Sequence, residues 1–146
     1  MEKILIGIDT ENIDLRPCIH ALNLAERMKR VKIYFLLVSD TSKIKSNHKN
    51  KVLPDTMNKK KFSTKENLES LIEDGRSKGI RIGYYAAEGE FKNEIINFIK
   101  SRRIDLLIIG SPRGKTRVKK EDTFTEFIGK IKHRVDCRIE VVHGKC

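Results

Sequence analysis

The sequence predicts a doubly wound α/β fold, a five-stranded parallel sheet with helices on both faces, and three observations predict it. Short apolar runs rich in β-branched residues recur five times, and segments with helical apolar spacing separate them. The chain length of 146 residues suits one domain with one core. Strict alternation of strand and helix calls for parallel strands joined by right-handed crossovers, which puts helices on both sides of a single sheet.

The five strand candidates are "ILIGI" (4–8), "KIYFLLV" (32–38), "IRIGYYA" (80–86), "DLLIIG" (105–110) and "CRIEVV" (137–142). A first helix carries Cys18, Ala21, Leu22, Ala25 and Met28 on one face, with Pro17 suited to its first turn. The second presents Leu68, Leu71, Ile72 and Gly75, and the third Phe91, Ile95, Phe98 and Ile99. The fourth presents Phe124, Phe127, Ile128, Ile131 and Val135. Ser63 with Glu66, and Thr123 with Glu126, have the capping-box spacing, so helix starts are expected at Ser63 and Thr123.

Central parallel strands are buried on both faces and read as unbroken apolar runs, whereas edge strands tolerate alternation. The first, second and fourth runs are unbroken; the third and fifth alternate, with Arg81, Arg138 and Glu140 opposite the apolar set. The expected strand order is therefore 3-2-1-4-5. That order has a topological switch between strands 1 and 4, and open α/β sheets bind ligands outside the carboxyl ends of the strands at such a switch. Those ends are Asp9 and the segment from Gly110.

Hydrophobic residues make up 38% and charged residues 35% of the chain, which allows a core beneath a heavily charged surface. The N-terminal apolar run between Lys3 and Asp9 is too short for a signal sequence or a membrane span, so a cytoplasmic protein is expected. Cys18, Cys137 and Cys146 have no short mutual spacing and read as free thiols, the first two as small buried hydrophobes. The four histidines are scattered without ligand spacing, so no metal site is assigned. The connection from Asp40 to Phe62 carries seven lysines against a single acid beyond Asp40 itself, Asp55, and is expected to be a disordered basic loop within the single domain.

The segment "DLLIIGSPRGKTRVKKEDTFTEF" (105–127) joins a strand end to two glycines, a basic run and a helix start. Glycine at a strand end lets backbone amides approach an anion, and a following helix start can hold a phosphate. The P-loop pattern is not met: "GSPRGKT" is one spacer short, and Val118 to Asp122 stand between Thr116 and the capping signal. Glu121 and Asp122 oppose a triphosphate, while Arg113, Lys115, Arg117, Lys119 and Lys120 attract one.

The whole chain resembles the universal stress protein family, through "KILIGID", "IYFLLVSD", "DLLIIGS", the glycine loop with its helix, and "CRIEVV". The resemblance implies a nucleotide-binding domain, a homodimer paired through the last strand (about Cys137 to Val142), and ATP or AMP as ligand, with magnesium accompanying ATP. It assigns Asp9 to the adenosine, the backbone of Val38 to adenine, and Gly110, Gly114 and Thr125 to the phosphate end, where the charge and planar fork of Arg113 suit it to grip a phosphate. The family signature reads G-x-x-G, nine residues, G-[ST]. Here "GSPRG" has one residue too many, and Phe124 replaces the third glycine.

Function classes follow from these features. A non-catalytic stress-response regulator that binds nucleotide weakly is the first, since no nucleophile and base pair is evident around Asp9. An ATP-hydrolysing enzyme is the second, because the fold also houses enzymes. The net charge of +11 supplies a third, a basic module that binds nucleic acid or another polyanion.

Overall fold

The computed structural model describes residues 2–28, 30–40, 55–111 and 117–142, and the side chains of all of these except 55–64 and 117–123. Five apolar segments pair into one all-parallel sheet: β1 (Glu2–Asp9), β2 (Val31–Ser39), β3 (Arg81–Glu88), β4 (Leu106–Gly110) and β5 (Arg138–Val142). Their order is β3-β2-β1-β4-β5, as expected. The unbroken runs are central, where both faces are covered, and the alternating strands β3 and β5 are at the edges.

The helices are α1 (Arg16–Arg27), α2 (Asp55–Ser77), α3 (Phe91–Arg102) and α4 (Arg117–Arg134). Odd and even strand positions feed two separate cores, because side chains alternate across a sheet. Ile4, Ile6, Ile8, Ile33 and Phe35 pack with Cys18, Ala21 and Leu22 of α1 and with Leu68 and Ile72 of α2. On the opposite face Leu5, Tyr34, Leu36, Val38 and Leu107 pack with Ile95, Ile96 and Ile99 of α3 and with Ile131 of α4. The helices therefore lie two to a face. Glycine at position 7 brings α3 close to β1: a Cβ there would stand 2.3 Å from Ile95 Cδ1.

Two helices begin earlier than the capping boxes suggest. Residues 55–62, expected in the basic loop, are helical in α2, and Ser63 with Glu66 falls inside that helix. Likewise α4 starts at Arg117 and runs through Thr123 and Glu126. Both extensions carry lysines, joined in α4 by Arg117 and Glu121, all strong helix formers, and a capping-box spacing inside a helix has no orphan amides to satisfy. The rest of the predicted loop, residues 41–54, lies outside the described residues. Among the described residues no helix is long and apolar enough to cross a membrane.

Candidate functional site

The register of the sheet brings three of the expected site residues together. Asp9 is paired directly with Val38 across β1 and β2. Ile6 pairs with Ile108, so Gly110, two residues on, is level with Ile8 and one residue short of Asp9. Adjacent strands lie about 4.8 Å apart, which puts all three at one end of the sheet around the switch between β1 and β4.

Local hydrogen bonds shape each of them. The Asp9 carboxylate accepts the Glu11 amide at 3.0 Å, while its carbonyl accepts the Asn12 amide at 3.0 Å, so the chain turns sharply after β1. The Val38 carbonyl accepts the Thr10 amide at 3.1 Å, which leaves one lone pair on that oxygen. Its side chain is buried against α3 and α4. Beside it the hydroxyls of Thr10 and Ser39 are 3.2 Å apart, forming a small polar surface where β1 and β2 end.

Gly110 is occupied from the α1 side. A Cβ there would lie 2.2 Å from Asp14 Oδ2 and 3.2 Å from Arg16 Nη2. Asp14 and Arg16 form a fork: Nη2 donates to Oδ2 at 2.6 Å, Nε donates to Oδ1 at 2.9 Å, and the Arg16 amide also donates to Oδ1 at 3.0 Å. Arg16 Nη2 further donates to the Ser111 carbonyl at 2.6 Å. The pair thus ties the start of α1 to the chain leaving β4. Charge-assisted bonds of this geometry are the strong kind.

Thr125 is exposed and is the ninth residue of α4, about 12 Å along the axis from its first residue. The early helix start therefore carries its hydroxyl away from the free amides of the first turn. Phe124, at the place of the third signature glycine, stacks on Phe127 with ring centroids 6.2 Å apart. Phe127 stacks in turn on Phe91 at 5.8 Å, so position 124 belongs to an aromatic row joining α3 and α4. Arg113 and Gly114 lie outside the described residues.

The thiols of Cys18 and Cys137 are held in their neutral form. Burial, aided by the nearby Asp14 charge, pushes the Cys18 thiol up to about 12. Burial likewise pushes the half-buried Cys137 up to about 11. Among the described residues no group of histidine, cysteine, aspartate and glutamate side chains could hold a metal ion.

Sequence reasoning missed Asp14, Arg16, Thr10 and Ser39. Asp14 and Arg16 had a legible signal, an acid two residues before a base and directly ahead of Pro17 at a helix start. Thr10 and Ser39 had only their position as the residues following Asp9 and Val38.

The profile of the universal stress protein family matches residues 1–143. No curated protein sequence matches the chain significantly. Among solved structures the chain is similar to hypothetical protein MJ0577, with 22% identity, a TM-score of 0.63, and 99% of this chain and 97% of that one covered. A universal stress protein in complex with cAMP is similar at 12% identity and a TM-score of 0.62, with 97% and 96% covered. A universal stress protein family protein from Arabidopsis thaliana with AMP bound is similar at 15% identity and a TM-score of 0.59, with 99% and 93% covered. These likenesses are of fold.

Proposed function

Since the chain belongs to the universal stress protein family, we propose that it is a small regulatory protein that binds an adenine nucleotide, ATP or AMP, at the carboxyl end of its sheet. The observation that carries this reading is the convergence of Asp9, Val38 and Gly110 at the switch between β1 and β4. The cAMP and AMP bound by two proteins of the same fold support it.

In this reading the Asp9 carboxylate accepts the ribose hydroxyls, and the main chain at Val38 meets the adenine edge. The Thr10 and Ser39 hydroxyls stand beside both. Gly110, with Arg113 and Gly114 beyond it, receives the phosphates, magnesium accompanying ATP. Thr125 enters as a hydroxyl on α4 whose removal tests how far along the helix the phosphates extend. Binding is weak, because Phe124 adds a side chain where the family signature has glycine. The role is regulatory rather than catalytic, and a stress-response function in the cytoplasm follows from the family. The free edge of β5 pairs with its copy in a homodimer.

Melting with and without AMP, ATP and magnesium ATP, at low and high salt, tests this. Ligand at about a hundred times its dissociation constant stabilises by about 2.7 kcal/mol, a rise of roughly 5 to 15 degrees. The expected result is a salt-resistant rise that Asp9→Ala removes. No rise with any adenine nucleotide would overturn the proposal. Turnover of ATP that Asp9→Ala abolishes would instead establish the enzyme reading.

A further inference from the structure

In an all-parallel α/β sheet every strand starts, and every crossover helix ends, at the same edge. In this chain that amino end gathers most of the described lysines and arginines. Helices α1 to α4 carry Arg27, Arg76, Arg102 and Arg134 in their last turns, and β2 and β3 begin beside Arg30, Lys32 and Arg81. Cations in a last helical turn complement the helix dipole, which accounts for the first four. It does not account for those on the strands.

Nor does it account for what lies beside them. Edge strand β3 is packed by α2 on one face, through Ile82 and Tyr84. On the other face its Tyr85 meets Phe98 and Arg102 of α3. Tyr34, Tyr85 and Phe98 form an aromatic triangle with centroids 5.6 to 6.0 Å apart. Two cations cover it at the amino end. The Arg102 guanidinium lies 4.6 Å from the Tyr85 centroid and 5.2 Å from that of Phe98, and Lys32 Nζ lies 4.9 Å from that of Tyr34. Tyr85 and Phe98 are only half-buried, and Arg102 is exposed.

We propose that this aromatic cluster with its two cations, toward the end of the sheet opposite the proposed nucleotide site, binds single-stranded nucleic acid, with phosphates against Lys32 and Arg102 and a base on Tyr85. The partner is chosen by chemistry. Cations alone would serve any polyanion, but aromatic faces beside them add base stacking, which a duplex withholds and a strand offers. A membrane surface would need a row of apolar groups to insert. The exposed large hydrophobics among the described residues are Ile19 and Met28, apart on α1.

Fluorescence anisotropy with a labelled oligouridylate of about twenty nucleotides tests the proposal, with a duplex of equal length and phosphatidylserine vesicles as competitors. Lys32→Glu with Arg102→Glu should weaken strand binding at least tenfold. Lys32→Gln with Arg102→Gln should make the slope of log affinity against log salt shallower by about 1.4, as expected when two contacts to a single strand are lost. Tyr85→Ala should weaken the strand about fivefold or more with the salt slope unchanged. Circular dichroism verifies folding of each variant, and the glutamine pair replaces the glutamate pair if charge reversal unfolds the chain. Binding that survives these substitutions, tighter binding of duplex or vesicles, or no binding of the strand would overturn the proposal.

Discussion

Gly110 and Asp14 meet with no room for one more carbon: a Cβ on Gly110 would stand 2.2 Å from Asp14 Oδ2. The carboxylate cannot step aside freely, since Arg16 grips both of its oxygens and also holds the Ser111 carbonyl. Glycine at this strand end therefore serves the fold, whatever it also does for a phosphate.

Gly110→Ala should consequently destabilise the protein by about 1 to 3 kcal/mol, the usual range for overpacking. In an Asp14→Ala background the same substitution should cost clearly less, because the obstructing carboxylate is gone. Urea unfolding of the four proteins of this cycle measures the coupling. Strict additivity would mean that the crowding at Gly110 comes from something other than Asp14.

A second close approach gives a second cycle, on the other face of the sheet. A Cβ on Gly7 would lie 2.3 Å from Ile95 Cδ1, the terminal methyl of a fully buried side chain. Gly7→Ala should destabilise by about 1 to 3 kcal/mol, and Ile95→Val, which removes that methyl, should restore part of the loss although alone it costs about 1 kcal/mol. Unfolding curves in which the double variant is worse than the sum of the singles would refute this account of Gly7.

Much of this architecture could be read in the sequence, and the reason differs from element to element. β1, β2 and β4 were legible because burial on both faces leaves an unbroken apolar run, and β3 and β5 because Arg81, Arg138 and Glu140 mark positions a central strand would not tolerate. The starts of α2 and α4 were not legible. Capping-box spacing occurs by chance inside helices, and the lysine-rich segments before Ser63 and Thr123 read equally as solvated loop or as exposed helix. At the site, Asp9 and Gly110 followed from strand ends and order, and Val38 from the family resemblance. Asp14 and Arg16 did not, since their fork with Ser111 joins residues 95 positions apart.

The buried Cys18 makes a prediction about alkaline conditions. Its folded-state thiol is pushed up to about 12 from an ordinary value of 9.0, chiefly by burial. Between these two pH values the unfolded chain has lost the proton that the folded chain keeps, so this residue's contribution to stability is complete below pH 9 and declines above it. The steepest slope is about 1.4 kcal/mol per pH unit for one proton. The stability difference between the protein and Cys18→Ala should therefore shrink as pH rises past 9, measured by urea unfolding at a series of pH values. A difference that is flat up to pH 11 would show that Cys18 ionises freely in the folded state.

The proposed homodimer can be tested at a single backbone position, because the parity of β5 is known. Arg138 donates its amide to the Asp105 carbonyl and Val142 accepts from the Ser111 amide, so the main-chain groups of residues 138, 140 and 142 point at β4. Those of Ile139 and Val141 then face the free edge, where a second copy would pair. The neighbouring side chains are already engaged within the chain, Arg138 with Glu2 and Glu140 with His20 at 3.1 Å, which leaves the main chain as the pairing surface. Val141→Pro removes one outward donor and no donor of the β4 ladder. Sedimentation should find the wild-type chain dimeric and Val141→Pro monomeric, with circular dichroism unchanged. A wild-type monomer at high protein concentration, or a proline variant that stays dimeric, would place any association elsewhere than the β5 edge.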